Sequence, residues 1–308
     1  MQDSCDGKGL VIHVGYPKTA STWLQRHLFA NPRTAFAVPW GQPAACAVDH
    51  FVLANDYVFE ANSVREALRT QITATLKASR VPVLSEETLI GDPCRQKYWG
   101  FSTMRRIRSV FPMAKILLCI REQVSLAYSA YCEHLRGGGT DSLERFVGTG
   151  RLPPGVGPNL RFDYLQYDLV ISDLLELFGP SQVLVLPVEL LRLEPRDFVN
   201  RLCEFAGTRP VQLDSLARVH ASVGGRTVPL HRWLNRWVPP GVPRRLVQKL
   251  VNLHSRLTPL GAHSVSASRE KRKLAEHLGS YFEESNRRSA ELTGVDLRSL
   301  GYRVAGIQ

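Results

Sequence analysis

The residues best placed for chemistry begin at Gly15–Thr22, GYPKTAST. Against the phosphate-loop template G-x-x-x-x-G-K-[ST], Gly15 takes the first glycine position, Ala20 the second and Thr22 the final hydroxyl. Ser21 fills the lysine position, and a lysine stands three residues earlier as Lys18. Backbone N–H groups at a helix N-terminus cradle phosphate oxygens, so a nucleotide phosphate site is physically reasonable here. A nucleoside triphosphate enzyme needs its lysine between the outer phosphates and a hydroxyl on magnesium. Lys18 projects from the loop before the helix instead, where it can neutralise the bridging oxygen between a phosphate and a departing group. A second set lies in KILLCIREQVSLAYSAY (Lys115–Tyr131), with Arg121 ending a strand and Ser129 eight residues on. The arginine can fork onto a phosphate, and the serine, two helical turns later, can reach the same group. A third is VPVLSEE (Val81–Glu87), which ends in two carboxylates, Glu86 and Glu87.

These groups need elements to position them. GLVIHVG (Gly9–Gly15) is a short apolar run ended by Gly-Tyr-Pro, which predicts a buried strand. Thr19 to Phe29 predicts a helix stopped by Asn31-Pro32, and Ser63 to Ser79 a second, with Val64, Leu68, Ile72 and Leu76 on one face. Strands follow at Val81–Glu87, Lys115–Arg121 and Gln182–Glu189. Helices are expected at Phe101–Pro112, from about Val124 to Leu135, at Phe162–Gly179 and at Asp197–Gly207. Alternating strands and helices imply a parallel sheet with helices on both faces. Ligands in such sheets bind at the carboxyl ends of the strands, where Lys18, Glu87 and Arg121 all fall.

The 308 residues are 44% hydrophobic and 22% charged, ordinary for a globular protein with a core of normal size. Net charge is +11, from 39 Lys+Arg against 28 Asp+Glu, so an anionic partner is expected. Most of that excess sits between Arg226 and Lys273, where eleven Lys/Arg meet one acid, Glu270. Six scattered cysteines with no C-x-x-C pair fit reduced thiols and offer no zinc site. There is no apolar leader at the N-terminus and no segment of membrane-spanning length, so a cytoplasmic protein is the expectation. No aromatic stacking platform is visible, which argues against nucleic acid.

Tyr16–Gln25, YPKTASTWLQ, resembles the 5′-phosphosulfate loop of sulfotransferases that use 3′-phosphoadenosine 5′-phosphosulfate (PAPS), written Pro-Lys-[Ser/Thr]-Gly-[Ser/Thr]-Thr. The resemblance implies that Lys18 meets the bridging oxygen of the donor. It implies that Thr19, Ala20, Ser21 and Thr22 hold the 5′-phosphate, with Ala20 where glycine is usual. The Arg121 and Ser129 spacing is similar to the family's 3′-phosphate site. Phe162–Leu191 and Tyr281–Tyr302 look like bacterial members that act on saccharides. The family implies an α/β, P-loop-like, three-layer fold with a central parallel sheet flanked by helices. One domain, residues 9–305, is expected, with a basic helical cap or lid around 226–273.

Sulfuryl transfer from PAPS to an acceptor hydroxyl or amine on a saccharide is the implied activity, by in-line displacement, with the bisphosphate PAP as product and no metal. Ser85-Glu86-Glu87 aligns with a serine-x-glutamate pattern that favours Glu87 as the base, with Glu86 and His134 as alternatives. His13, inside a strand, reads as a core residue, and His220 is a weaker candidate. Arg226 is expected near the 3′-phosphate because family members carry a basic loop there. The basic segment has three possible uses: closing over PAPS, holding an anionic acceptor, or lying on a membrane surface. Rival classes are a P-loop nucleotide kinase, which would want lysine at position 21, and a non-catalytic nucleotide-binding protein of the same fold.

Overall fold

The computed structural model describes residues 6–93, 96–148, 158–211, 235 and 260–306. Its strands are β1 (Val11–Gly15), β2 (Phe36–Ala37), β3 (Val81–Ser85), β4 (Lys115–Ile120), β5 (Val147–Gly148), β6 (Leu160–Arg161) and β7 (Val183–Pro187). Five form one parallel sheet in the order β2-β3-β1-β4-β7, and β5 and β6 pair separately. The α/β, P-loop-like architecture is therefore as the sequence implies.

Side-chain alternation along each strand divides the core into two layers. Ile12, Val14, Leu84, Ile116, Leu118 and Val185 face one layer, where Val64, Leu68, Ile72, Ile107, Ile171 and Leu174 pack from helices. Val11, Val83, Leu117, Cys119 and Leu186 face the other, against Leu24, Leu28, Phe198, Val199 and Leu202. A parallel sheet covered on both faces needs apolar residues at nearly every strand position, and VIHVG and KILLCI supply them.

Several boundaries differ from the sequence expectation. The first helix is a short α-turn, Ser21–Trp23, that runs into a π-helical stretch, Leu24–Phe29. The second helix spans Ala61–Lys77, and its buried face ends on Thr75 rather than Leu76. β3 stops at Ser85, so both glutamates lie beyond it. Phe162–Gly179 divides into a 3-10 turn, Phe162–Leu165, and a helix, Tyr167–Phe178. The strand expected to reach Glu189 ends at Pro187, which caps a helix, Val188–Leu193. Two further helices, Leu260–Leu278 and Glu283–Thr293, follow near the C-terminus. No helix among the described residues is long and apolar enough to cross a membrane.

Register brings the three motifs to one edge. Gly15 lies beside Cys119, so the loop after β1 and Arg121 leave the sheet as neighbours. His13 lies beside Ser85, and the Glu86 amide donates to His13 O at 3.2 Å.

Candidate active site

The loop after β1 is built from backbone that side chains resist. Lys18 has φ 71° and Ala20 φ 62°, both left-handed. Only glycine adopts that region without penalty, so Ala20 holds a conformation worth about 1–2 kcal/mol of strain. This explains why a glycine is the usual residue there. Thr19 is 1% exposed, and its hydroxyl donates to Tyr16 O at 2.6 Å, pinning the loop to its own start. Left-handed residues on either side of Thr19 give the kind of backbone from which anion nests are made. Gly15 admits the fold-back: a Cβ there would stand 3.0 Å from Thr19 Oγ1 and 3.4 Å from His13 Nε2.

Ser21 is 4% exposed, and its hydroxyl makes no hydrogen bond of ordinary geometry among the described residues. A buried hydroxyl without a partner costs about 1–3 kcal/mol unless something absent from the chain satisfies it. It opens the helix Ser21–Trp23, where a phosphate oxygen would meet both the hydroxyl and the helix N–H groups. Thr22, next along, is exposed.

Glu86 and Glu87 divide the work after β3. Glu86 is 4% exposed, and its Oε1 accepts from the Thr88 amide at 3.0 Å and the Thr88 hydroxyl at 2.8 Å. It is the N-cap of the turn Glu87–Ile90. Glu87 has no such duty. Burial pushes its carboxyl up from the ordinary range, and nearby Ser21 and then Lys18 pull it partly back. Glu87 therefore faces the phosphate loop.

Lys18 Nζ lies 2.6 Å from Glu133 Oε2, on the helix Gln123–Arg136. Ser129 is half-buried on the same helix, one turn before Glu133 and on the same side. Glu122 caps this helix by accepting from the amides of Val124 and Ser125, both at 2.8 Å. Arg121 precedes the cap, and its Nη1 donates to Lys18 O at 2.9 Å. That one hydrogen bond joins the first motif to the second. Behind it, the Tyr167 hydroxyl donates to Arg121 O at 2.5 Å. Glu189 accepts from the Glu122 amide at 3.1 Å and from the Tyr302 hydroxyl at 3.0 Å.

The histidines are occupied elsewhere. His13 is fully buried, shares a hydrogen bond with the Ser85 hydroxyl at 2.8 Å, and is held neutral by burial with its pKa lowered to about 4. His134 Nε2 pairs with Asp141 Oδ2 at 2.9 Å, and its ring lies 4.9 Å from that of Phe146. Arg226 and His220 lie outside the described residues, as does most of the basic segment. Sequence reasoning missed Glu133, although its place four residues after Ser129 was the available signal.

The geometry thus gathers a lysine, a loop of left-handed backbone, a raised carboxyl and an arginine at the carboxyl edge of β1, β3 and β4. Among solved structures, a sulfotransferase from Alicyclobacillus acidocaldarius is 18% identical, with 82% of this chain and 98% of that chain covered and a TM-score of 0.47. A sulfotransferase domain from the curacin biosynthetic pathway is 14% identical, covering 80% of this chain and 97% of its own, with a TM-score of 0.38. A sulfotransferase domain from the olefin synthase of Synechococcus PCC 7002 is also 14% identical, covering 84% and 99%, with a TM-score of 0.39. No curated protein matches the chain. The sulfotransferase family matches residues 11–212, well over half of the chain and the whole span from β1 through β7. By that match this chain belongs to the sulfotransferase family.

Proposed function

We propose that the enzyme moves a sulfuryl group from PAPS to an acceptor hydroxyl or amine, with saccharides the first acceptor class to test. The observation that carries this is the hydrogen bond from Arg121 to Lys18 O, which makes one site of the two nucleotide motifs. The buried Ser21 hydroxyl and the left-handed residues at 18 and 20 suit a 5′-phosphate. Arg121 and Ser129 suit a phosphate at the ribose 3′ position.

In the proposed step the acceptor oxygen or nitrogen attacks sulfur in line. The bond from sulfur to the bridging oxygen breaks, and its electron pair stays on the departing phosphate. Lys18 and the loop amides stabilise that growing charge. Glu87 takes the acceptor proton, a role that suits a carboxyl whose pKa stands above the ordinary range. Glu86, spent on its cap, is the weaker base, and His134, paired with Asp141, is weaker still.

Calorimetric titration with adenosine 3′,5′-bisphosphate, ADP, and ATP plus magnesium tests the reading. Tight, magnesium-independent binding of the bisphosphate, with ADP much weaker, is the expected result. Preference for ATP with magnesium would sink it.

A further inference from the structure

Lys18 is gripped at both ends by one stretch of chain. Its carbonyl accepts from Arg121 Nη1 at 2.9 Å, and its ammonium lies 2.6 Å from Glu133 Oε2. Arg121 directly follows β4, and Glu133 lies near the far end of the helix Gln123–Arg136. Between the two grips, a left-handed φ of 71° sets the direction in which the side chain leaves the loop. The other carboxylates nearby have structural work: Glu122 caps the helix, Glu189 holds the Glu122 amide, and Glu86 caps the turn after β3. Glu133 and Lys18 both reach solvent, with side chains 53% and 28% exposed, and an exposed pair of this kind adds little to stability. What the pair fixes is the place of the ammonium.

That place matters because a second carboxylate competes for it. Burial most strongly disfavours the charge on Glu87, Ser21 and Lys18 favour it, and Glu86 and Glu133 disfavour it again. Yet Glu87 enters no ion pair among the described residues. Other elements also pack on the turn Glu87–Ile90. β1 brings a neutral His13, and Val48–Val52 brings Asp49 and His50. The helix Gly100–Val110 spends Arg105 on Asp173 and Arg106 on Asp56. Lys18 is thus the cation that would tie up Glu87 if it were released. A lysine clamped on the base would weaken it as a proton acceptor and withdraw from the leaving group. An ammonium carries three donor hydrogens, so a bond to Glu133 leaves two for the donor.

We propose that Glu133 is a positioning residue for sulfuryl transfer: it holds the Lys18 ammonium at the phosphate loop and keeps it off Glu87. The group serving the departing phosphate and the group taking the acceptor proton thereby stay apart. This rests on the roles given above to Lys18 and Glu87.

The test compares Glu133→Gln, Lys18→Ala and the double variant with the wild type. In ligand-free protein, carbon NMR of a chain labelled at its glutamate carboxyls follows the titration of Glu87, assigned with Glu87→Gln. Glu133→Gln is expected to bring the Glu87 midpoint down, because the released ammonium turns to that carboxylate. Adding Lys18→Ala should cancel most of the drop. Equal drops with and without Lys18 would mean that Glu87 feels only the charge of Glu133, and would overturn the proposal, as would no drop at all. With PAPS as donor and p-nitrophenyl glycosides as acceptors, Glu133→Gln should lower kcat about tenfold while bisphosphate affinity holds. The double variant should be no slower than Lys18→Ala alone. Losses that multiply would give Glu133 a role independent of Lys18 and overturn the proposal. Where no glycoside turns over, the carboxyl titration decides. That titration needs no donor, so a chain that fails to bind adenosine 3′,5′-bisphosphate sinks the PAPS reading by a separate measurement.

Discussion

The loop after β1 and the turn after β4 both face the same edge of the sheet, yet they are made in opposite ways. The first is strained backbone: two non-glycine residues at positive φ, a buried Ser21 hydroxyl without a partner among the described residues, and a Thr19 hydroxyl bonded back to the loop's own start. The second is relaxed backbone with a full set of supports: a double N-cap from Glu122, a carbonyl held by Tyr167, and Glu189 tied at both oxygens. The difference teaches where each phosphate's specificity comes from. A loop that offers N–H groups binds any phosphate that fits its curve. A rigid turn that presents charged side chains from several elements selects by position.

Four substitutions break or sharpen that contrast, in falling order of size. Glu87→Gln should cost about a hundredfold or more in turnover with bisphosphate binding retained, since general-base help is typically worth that much. Because Glu87 must be ionised to act and burial raises its pKa, wild-type kcat/KM should fall on acidification at a pH above the ordinary carboxylate range. A fully active Glu87→Gln would move the base to Glu86 or His134. Lys18→Ala should lower turnover at least about tenfold, equal to about 1.4 kcal/mol of barrier. Near-normal turnover would remove Lys18 from the mechanism. Glu122→Ala should destabilise the folded chain by about 1 kcal/mol through loss of the cap, read as a lower denaturation midpoint. Ala20→Gly should do the reverse and stabilise by about 0.5–1 kcal/mol, because strain at φ 62° is relieved. If both changes moved stability in the same direction, the division into a strained loop and a supported turn would be wrong.

The parts of the site written into local sequence were legible in it. Lys18 and Arg121 stand at the ends of apolar β-branched runs, and strand ends in a parallel sheet are where ligands go. The preference for Glu87 over Glu86 rested on the resemblance alone, because residue types do not say which carboxylate caps the next turn. Glu133 was signalled only by its place four residues after Ser129, and its pairing with Lys18 comes from contact between the loop after β1 and a helix far along the chain. In the fold, β2 escaped notice because two residues carry no periodicity, and residues 45–58 escaped because their helical turns are too short to alternate. The first two residues of the helix Val188–Leu193 were absorbed into the strand expected at Gln182–Glu189, because an apolar run looks alike in either state and only Pro187 marks the change.

Tyr302 reaches Glu189 from 113 residues further along the chain, and Asn286 exchanges side-chain amide hydrogen bonds with Gln123. A ribosome delivers the chain in order, at about 5–20 residues per second. The sheet, the phosphate loop and Arg121 all emerge well before residue 302, and in that interval Glu189 has one of its two anchors missing. The last of the fastenings on the turn that holds Arg121 therefore waits for residue 302. A nascent chain stalled after β7 would carry a finished sheet with Glu189 still lacking its bond to Tyr302.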